Sequence, residues 1–296
     1  MAADLLVVYK KNFEPVHDRS VASLEDALAQ LADERGVSYD LTPREAVKRA
    51  DFVGRDLVII VGGDGTLTSI AHNIDDDTPV MGVNSHPMSD DPDGSFGFFM
   101  DCDPTTFAED VRAALDGEAI PNVLPRLQAE IVTTSGNRIN CDPALNDLLV
   151  ANTNQYSPSR YRLKRDADGV NEAVDLMQRS SGLLFSTFVG QGAWFRHVCV
   201  IEELKFDPEQ IHDHYLFCAC DLPRDERRGD GSYFAWTDKP TVLNSDMHRG
   251  YAVPDGWDEW HFTRGSTVTV SLDGPKLNLL TFRTPIVEKL AHWLDS

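Results

Sequence analysis

The segment Gly62-Gly63-Asp64-Gly65-Thr66 combines three glycines with one carboxylate, a combination suited to chemistry on phosphates. It follows residues 56–61, an apolar and β-branched run that is typical of a central parallel strand buried on both faces. Open α/β sheets bind their ligands at the carboxyl ends of such strands. The glycines permit positive φ and a close approach of the backbone, and the N–H groups of the loop and of the next helix can hold phosphate oxygens.

Asp64 gives this loop a reactive group. A carboxylate beside phosphates is unfavourable unless it binds Mg²⁺ or accepts a proton from an attacking hydroxyl, and both roles indicate phosphoryl transfer. The loop is not a Walker A loop, because no Lys-Ser/Thr pair closes it, and it lacks the Gly-x-Gly-x-x-Gly pattern of dinucleotide-binding folds. The alternative is a tight strand-to-helix turn in which Asp64 is the N-cap.

The loop and several later segments, taken in order, resemble the NAD kinase family, which shares its Gly-Gly-Asp-Gly-Thr loop with diacylglycerol and sphingosine kinases. The later segments are Gly82-Val83-Asn84, Gly97-Phe98-Phe99-Met100-Asp101, Ala144-Leu145-Asn146-Asp147, Gln178-Arg179-Ser180-Ser181-Gly182-Leu183 and Ser186-Thr187-Phe188-Val189-Gly190-Gln191-Gly192-Ala193-Trp194. These matches cover most of residues 5–200, and their forms look closest to the mitochondrial-type branch of the family.

The resemblance implies an ATP-dependent kinase that phosphorylates the adenosine-ribose 2′-hydroxyl of NAD to give NADP. It implies that Asp64 accepts the proton of that hydroxyl as the hydroxyl attacks the γ-phosphoryl group of ATP. The ATP phosphates would lie near Gly62, Gly63, Gly65 and Thr66, with Mg²⁺ carried by the nucleotide and no metal ligands on the protein.

The second glycine-rich loop would bind NAD. Its candidate residues are Thr187, Gly190, Gly192, Ala193 and Trp194, because small residues admit the ligand close to the backbone. The indole of Trp194 could stack on a base, or it could pack in the core.

Asn84, Asn146 and Asp147 are further candidates. Asn146 and Asp147 place an amide and a carboxylate side by side, which suits hydrogen bonds to ribose hydroxyls and to an adenine amino group. The alternative for this pair is a turn at the entry to a strand. Asn84 could contact the adenine side of the ligand or could hold the loop.

Four more residues carry a weaker prediction of ligand binding. Arg160 and Tyr161 belong to a basic and aromatic patch, and Arg179 could face a substrate phosphate, although a lone Arg is often a surface cation. Ser181 stands where most NAD kinases have an Asp that contacts the substrate. This change, the loss of two hydroxyls in the loop after Thr187 and the shorter side chain of Asp147 leave the preference for NAD or NADH open.

The predicted fold is an α/β domain with a parallel sheet over residues 1–122, followed by a mostly β domain over residues 123–275. Residues 276–296 form a C-terminal segment that we expect to pack on the first domain. The expected helices are residues 23–35, 45–50, 67–73, 105–115 and 285–293, and the expected strands are residues 5–9, 56–61, 80–84, 127–133, 148–151, 161–164, 182–188, 215–219, 241–243 and 266–272.

The composition excludes several classes of partner. The chain has 296 residues with 48 acidic and 27 basic side chains, a net charge of −21 that disfavours nucleic acid. No signal peptide and no apolar run long enough to span a membrane are evident, so we expect a cytoplasmic protein without membrane contact. The five cysteines are odd in number and fit no disulfide framework, which predicts reduced thiols. The spacing of Cys218 and Cys220 indicates a strand and not a metal knuckle.

Two other functions remain open from the sequence. A lipid or sphingoid-base kinase would share the first loop, although no membrane-binding helix is evident and the Asn146-Asp147 pair argues against it. A non-catalytic nucleotide sensor could have kept the fold while the second loop diverged. The resemblance also implies small nucleotides as the binding partners and a homodimer or homotetramer as the assembly.

Overall fold

A computed structural model describes residues 2–11, 15–89, 91–198 and 210–294. The chain divides into two compact units, one of Met1–Leu124 with Lys276–Ser296 and one of Pro125–Pro275. The boundary between them lies two residues beyond the one expected from the sequence, and the C-terminal segment clusters with the first unit. The predicted fold class, an α/β unit followed by a mostly β unit, is confirmed.

The helices and strands occur along the chain in the following order. They are β1 (Asp4–Tyr9), α1 (Pro15–Arg35), β2 (Ser38–Pro43), β3 (Leu57–Gly62), α2 (Asp64–Ala71), β4 (Pro79–Asn84), α3 (Phe107–Asp116), β5 (Ile120–Leu124), β6 (Gln128–Val132), β7 (Arg138–Asn140), β8 (Asp147–Asn152), β9 (Ser159–Arg165), β10 (Val174–Ser180), β11 (Gly182–Ser186), α4 (Phe195–Val198), β12 (Tyr215–Cys220), β13 (Phe234–Thr237), β14 (Thr241–Ser245), β15 (Arg249–Pro254), β16 (Trp260–Thr263), β17 (Thr267–Ser271), β18 (Leu277–Thr281) and α5 (Ile286–Leu294).

The first unit is built on a six-stranded sheet with the order β2-β1-β3-β4-β18-β5. All neighbours are parallel except β18 and β5, which are antiparallel. Every residue of β3 is buried, as expected for a central strand covered on both faces. Leu24, Leu28 and Leu31 recur at helical spacing along α1 and pack with Phe107 and Val111 of α3 in the same apolar core as strand residues of this sheet.

The second unit contains two six-stranded sheets, β10-β9-β14-β17-β6-β7 and β13-β12-β11-β8-β15-β16. The paired strands in both sheets are antiparallel. Apolar residues alternate along these strands, and side chains of the two sheets meet in one core that includes Ile131, Leu163, Val150 and Phe185. This arrangement of two packed sheets needs no helix to cover its inner faces.

One predicted helix is wrong. Residues 45–50 do not form an α-helix, because β2 ends at Pro43, a turn follows, and only a 3₁₀ turn forms at Arg49–Phe52. Within that 3₁₀ turn Phe52 alone is buried, and so short a segment has no apolar face to stabilise a helix. Several strands were not predicted from the sequence, among them β2, β10 and β18.

The prediction that the thiols are reduced is also wrong in part. Cys218 is disulfide-bonded, whereas Cys102, Cys141 and Cys220 are free and buried. Spacing along the chain does not reveal which thiols lie close together in space. Cys218 and Cys220 do lie two residues apart in a strand, β12, as their spacing indicated. Cys199 lies outside the described residues.

Among the described helices, none has both the length and the apolar character that crossing a membrane requires.

Candidate active site

The first glycine loop joins the end of β3 to the start of α2. Gly63 is the N-cap residue, with φ −118° and ψ −177°. A Cβ atom on Gly62 would lie 2.3 Å from Oγ1 of Thr66, and one on Gly63 would lie 2.7 Å from Cβ of Ser95, whereas Gly65 is exposed with no atom within 4 Å. None of the three glycines has positive φ. The loop does not use the positive φ that glycine permits; close packing explains Gly62 and Gly63.

The Asp64 carboxylate is held by a nest of backbone N–H groups. Oδ2 accepts hydrogen bonds from the N–H of Gly97 at 2.9 Å and of Phe98 at 3.0 Å, and Oδ1 accepts one from Phe99 at 2.8 Å. The hydroxyl of Ser95 lies 3.4 Å from Oδ2. A carboxylate has about four lone-pair positions; among the described residues only Phe99 donates to Oδ1, which leaves one position there for a substrate proton. Burial raises the pKa of Asp64, and the N–H groups of Phe99, Phe98 and Gly97 oppose that rise.

Asn84 has a structural role in this unit. Its Nδ2 donates to the carbonyl of Ser95 at 3.1 Å, and its Oδ1 accepts from the N–H of His86 at 3.3 Å. Gly97 has φ +75°, and a Cβ atom there would lie 2.6 Å from Nδ2 of Asn84. Asn84 therefore fixes the loop that carries the nest, which is one of the two roles that the sequence left open. The hydroxyl of Thr66 is likewise internal, because it accepts the N–H of Gly63 at 3.4 Å.

In the second unit the two predicted NAD-binding segments lie together. The hydroxyl of Thr187 donates to the carbonyl of Leu145 at 2.6 Å and accepts the N–H of Gly190 at 3.2 Å. Gly190 packs so closely that a Cβ atom would lie 1.9 Å from the carbonyl oxygen of Asn146. Thr187 is fully buried, so its hydroxyl joins the two segments and is not presented to a ligand.

Asp147 and Asp255 form a buried acidic pair beside this junction. Asp255 accepts the N–H groups of Leu145, Asn146 and Asp147 at 2.7, 2.7 and 3.1 Å. Burial raises its pKa to about 6 although these donors and the charge of Arg126 lower it. Asp147 accepts no side-chain hydrogen bond from the described residues, and burial together with the charge of Asp255 raises its pKa to about 7.

Four residues of the second unit have groups that remain available to a ligand. Oδ1 of Asn146 is buried without a hydrogen-bond partner in the described part of the chain. Gly192 and Ala193 are half-buried, and Trp194 is 45% exposed, so its indole is not a core side chain. The altered residues of the loop turn inward: Phe188 is fully buried, and Gln191 donates to the carbonyl of residue 188 at 2.8 Å. The substitutions in this loop therefore serve its packing.

Tyr161 does not belong to a ligand-binding patch. Along β9 its side chain points inward, where its hydroxyl contacts Gln178 at 2.9 Å and Ser180 at 2.8 Å. The predicted basic and aromatic patch is wrong because strand residues alternate between faces. Arg160 remains exposed and lies directly opposite Arg179 on β10, an unfavourable pairing of like charges that an anion would relieve.

Ser181, two residues beyond Arg179, does not lie at the Asp147 junction. Ser181 is exposed at the start of β11, and Ser186, at the other end of that strand, pairs with Asp147. Ser181 and Ser186 are five positions apart along the chain, about 17 Å at 3.3 Å per residue. The described residues hold no group of three or more His, Cys, Asp or Glu side chains that could bind a metal ion.

Comparisons with known proteins agree with this arrangement. Residues 7–119 match the family model of the ATP-NAD kinase N-terminal domain. An NAD kinase of Pseudomonas putida (strain W619) is 33% identical over 232 residues, which cover 76% of this chain and 70% of that protein. The chain belongs to the NAD kinase family. A probable NADH kinase of Oryza sativa subsp. japonica is 33% identical over 148 residues, 47% of this chain, and the match spans only 44% of that protein.

Solved structures of NAD kinase family members share the fold. An NAD kinase from Archaeoglobus fulgidus in complex with ATP superposes with a TM-score of 0.68 at 17% identity, over 99% of this chain and 97% of that one. Yeast NADH kinase complexed with NADH gives a TM-score of 0.72 at 14% identity, over 100% of this chain and 88% of that one.

Sequence reasoning missed two residues of these clusters. Ser95 accepts the N–H of Asp64 at 3.2 Å and fills the space that a side chain on Gly63 would need. Asp255 holds the turn at Asn146, and its only signal in the sequence is the Asp-Gly pair it forms with Gly256, which is typical of a turn. Asp255 has φ +49°, a left-handed conformation that Asp tolerates better than most residues.

Proposed function

We propose that the protein transfers the γ-phosphoryl group of ATP to the adenosine-ribose 2′-hydroxyl of NAD, giving NADP. Membership of the NAD kinase family supports this function, and the lipid kinase alternative has no comparable support. The observation that carries the chemistry is the Asp64 carboxylate at the end of β3, oriented by three N–H groups and with a free lone pair on Oδ1.

Asp64 would accept the proton of the attacking hydroxyl at Oδ1. Its raised pKa makes it a stronger base than an exposed Asp, and the fixed N–H donors prevent the carboxylate from rotating away. Gly65, exposed on α2, leaves the backbone of that turn open to phosphate oxygens. Mg²⁺ would be carried by ATP and would neutralise phosphate charge.

The second unit would bind the dinucleotide. The free amide oxygen of Asn146 and the unpartnered carboxylate of Asp147 can accept hydrogen bonds from ribose hydroxyls. The exposed indole of Trp194 can stack on a base. Arg160 and Arg179 together can bind a phosphate, which the net charge of −21 would otherwise repel. The cytoplasmic location and the dimeric or tetrameric assembly stay predictions.

Purified protein with ATP, Mg²⁺ and NAD should form NADP, measured by a dehydrogenase that is specific for NADP. Parallel reactions with NADH and with polyphosphate would identify the preferred acceptor and donor. ATP binding without NADP or NADPH formation would indicate a non-catalytic sensor.

Asp64→Asn tests the base directly. We expect kcat to fall by about 10²–10⁴-fold while ATP binding, measured by calorimetry, is retained. Asp103→Asn is the matched control, because Asp103 also accepts backbone N–H groups in the first unit, from Thr105 and Thr106. Unchanged turnover in Asp64→Asn would remove Asp64 as the base.

A further inference from the structure

The loop of residues 97–101 is anchored at both ends. Its first three residues donate the N–H groups that hold Asp64. Its last residue, Asp101, turns its carboxylate towards the C-terminal segment of residues 276–294, and only 6% of this side chain is exposed. Oδ2 of Asp101 accepts the N–H groups of Phe282 at 2.6 Å and Arg283 at 2.8 Å.

Two cations of the C-terminal segment complete this anchor. Lys289 on α5 places Nζ 2.6 Å from Oδ1 of Asp101. Arg283 donates to the backbone carbonyl of Asp101 at 2.5 Å and reaches both carboxylate oxygens of Asp110 at 3.1–3.2 Å. Asp110 is buried and also accepts the hydroxyl of Thr106 at 2.7 Å. Two buried carboxylates thus meet two cations, so removal of one cation leaves an uncompensated buried charge.

The loop between the two anchors has little freedom to absorb a displacement. The N–H of Met100 bonds the carbonyl of Gly97 at 3.2 Å, which closes a turn across the loop. The N–H of Cys102 donates to the carbonyl of Gly82, and the carbonyl of Cys102 accepts the N–H of Asn84, so that both backbone groups of Cys102 are hydrogen-bonded to β4. Gly82 packs so tightly that a Cβ atom would lie 2.8 Å from the carbonyl of Phe99. Movement of Asp101 must therefore move the N–H groups that hold Asp64.

We propose that Arg283 and Lys289 are positioning residues for the phosphoryl-transfer reaction, acting through Asp101 on the nest that orients Asp64. Neither cation contacts Asp64. The inference rests on the proposed function, because it gives the C-terminal segment a part in the chemistry assigned to Asp64.

Lys289→Met is the principal test, with Lys289→Arg as the conservative variant. We expect Lys289→Met to lower kcat at least tenfold while KM for ATP changes less than threefold, and Lys289→Arg to restore most of kcat. Hydrogen–deuterium exchange should show faster exchange of the amides of residues 97–99. Should Lys289→Met fail to fold, Arg283→Lys keeps the charge but cannot reach Asp101 and Asp110 together, and it should give the same pattern.

Asn122→Ala is the matched control for loss of stability. Asn122 ties the same C-terminal segment to β5, by donating to Leu279 and Thr281 and by accepting the N–H of Ile286, and it does not contact the 97–101 loop. We expect it to lower Tm without changing kcat or amide exchange at residues 97–99. Equal loss of kcat in Asn122→Ala and Lys289→Met would overturn the inference.

The exchange measurement separates this inference from the proposed function. If the protein forms no NADP, faster exchange at residues 97–99 in Lys289→Met would still support the coupling, and unchanged exchange would refute it. If the protein is an active kinase and Lys289→Met keeps full kcat, the positioning role is wrong while the proposed function stands.

Discussion

Replacing Asp147 by Asn should make the stability of the protein less dependent on pH. Burial and the charge of Asp255 raise the pKa of Asp147 from 3.8 to about 7. Each pH unit between the folded and unfolded pKa values is worth about 1.36 kcal/mol, so ionising Asp147 in the folded protein costs up to about 4 kcal/mol. The folded protein binds this proton more tightly than the unfolded chain does. Its contribution to the free energy of unfolding is therefore largest below about pH 4 and falls as the pH rises to about 7.

Between pH 5 and pH 8 the wild-type protein should lose about 2–3 kcal/mol through this group. Asp147→Asn should show no such loss of stability between pH 5 and pH 8, since Asn does not ionise. The new amide has N–H groups that must find partners, which costs about 1–3 kcal/mol at every pH. We therefore expect Asp147→Asn to be less stable than the wild type at pH 5 and equally or more stable at pH 8, measured by urea unfolding at both pH values.

Asp168→Asn is the control in the same unit. Burial would raise the pKa of Asp168, but hydrogen bonds from Thr237 and Asn171 lower it to about 2. Its contribution is therefore complete above about pH 4 and is lost only as the pH falls towards 2, so Asp168→Asn should cost the same free energy at pH 5 and pH 8. If Asp147→Asn also showed equal differences at both pH values, the raised pKa of Asp147 would be refuted.

Three further comparisons separate packing from binding. Gly63→Ala should lower the free energy of unfolding by about 1–3 kcal/mol, because its Cβ atom meets Ser95. Gly65→Ala should change the free energy of unfolding by less than about 0.5 kcal/mol but raise KM for ATP. Chemical unfolding and initial rates, measured on both variants, test these two expectations. Trp194→Ala should raise KM for NAD about tenfold, equivalent to about 1.4 kcal/mol of lost stacking, with little change in Tm. Tyr161→Phe should do the opposite, costing about 1–2 kcal/mol of stability with unchanged kinetics.

The first unit was the more predictable part from the sequence. The apolar run of β3 predicts a buried strand, and the glycine loop after it predicts a turn before the next helix, because both patterns are local in the sequence. The nest around Asp64 could not be foreseen, since residues 97–99 act through their backbone N–H groups and any sequence can supply them. The contact of Asp101 with Lys289 joins residues far apart in sequence and likewise leaves no local pattern.

In the second unit the errors have a different cause. Arg160 and Tyr161 are adjacent in sequence and point to opposite faces of β9, which a count of alternate residues along the strand would have revealed. The junction of Asn146 with Gly190 was accessible only through the family resemblance, because it depends on the pairing of β8 with β11. Asp255 was missed because antiparallel pairing of β15 with β8 brings it to Asp147 from a distant part of the chain.

The late return of β18 to the first sheet has a consequence for synthesis on the ribosome. β18 lies between β4 and β5, yet the whole of Pro125–Pro275 must be translated before it emerges. Until then β4 and β5 of the nascent chain each lack β18 as a hydrogen-bonded neighbour, and an unpaired strand edge can pair with other chains. Translation that stops before residue 276 should therefore yield a product that is prone to aggregation and depends on chaperones.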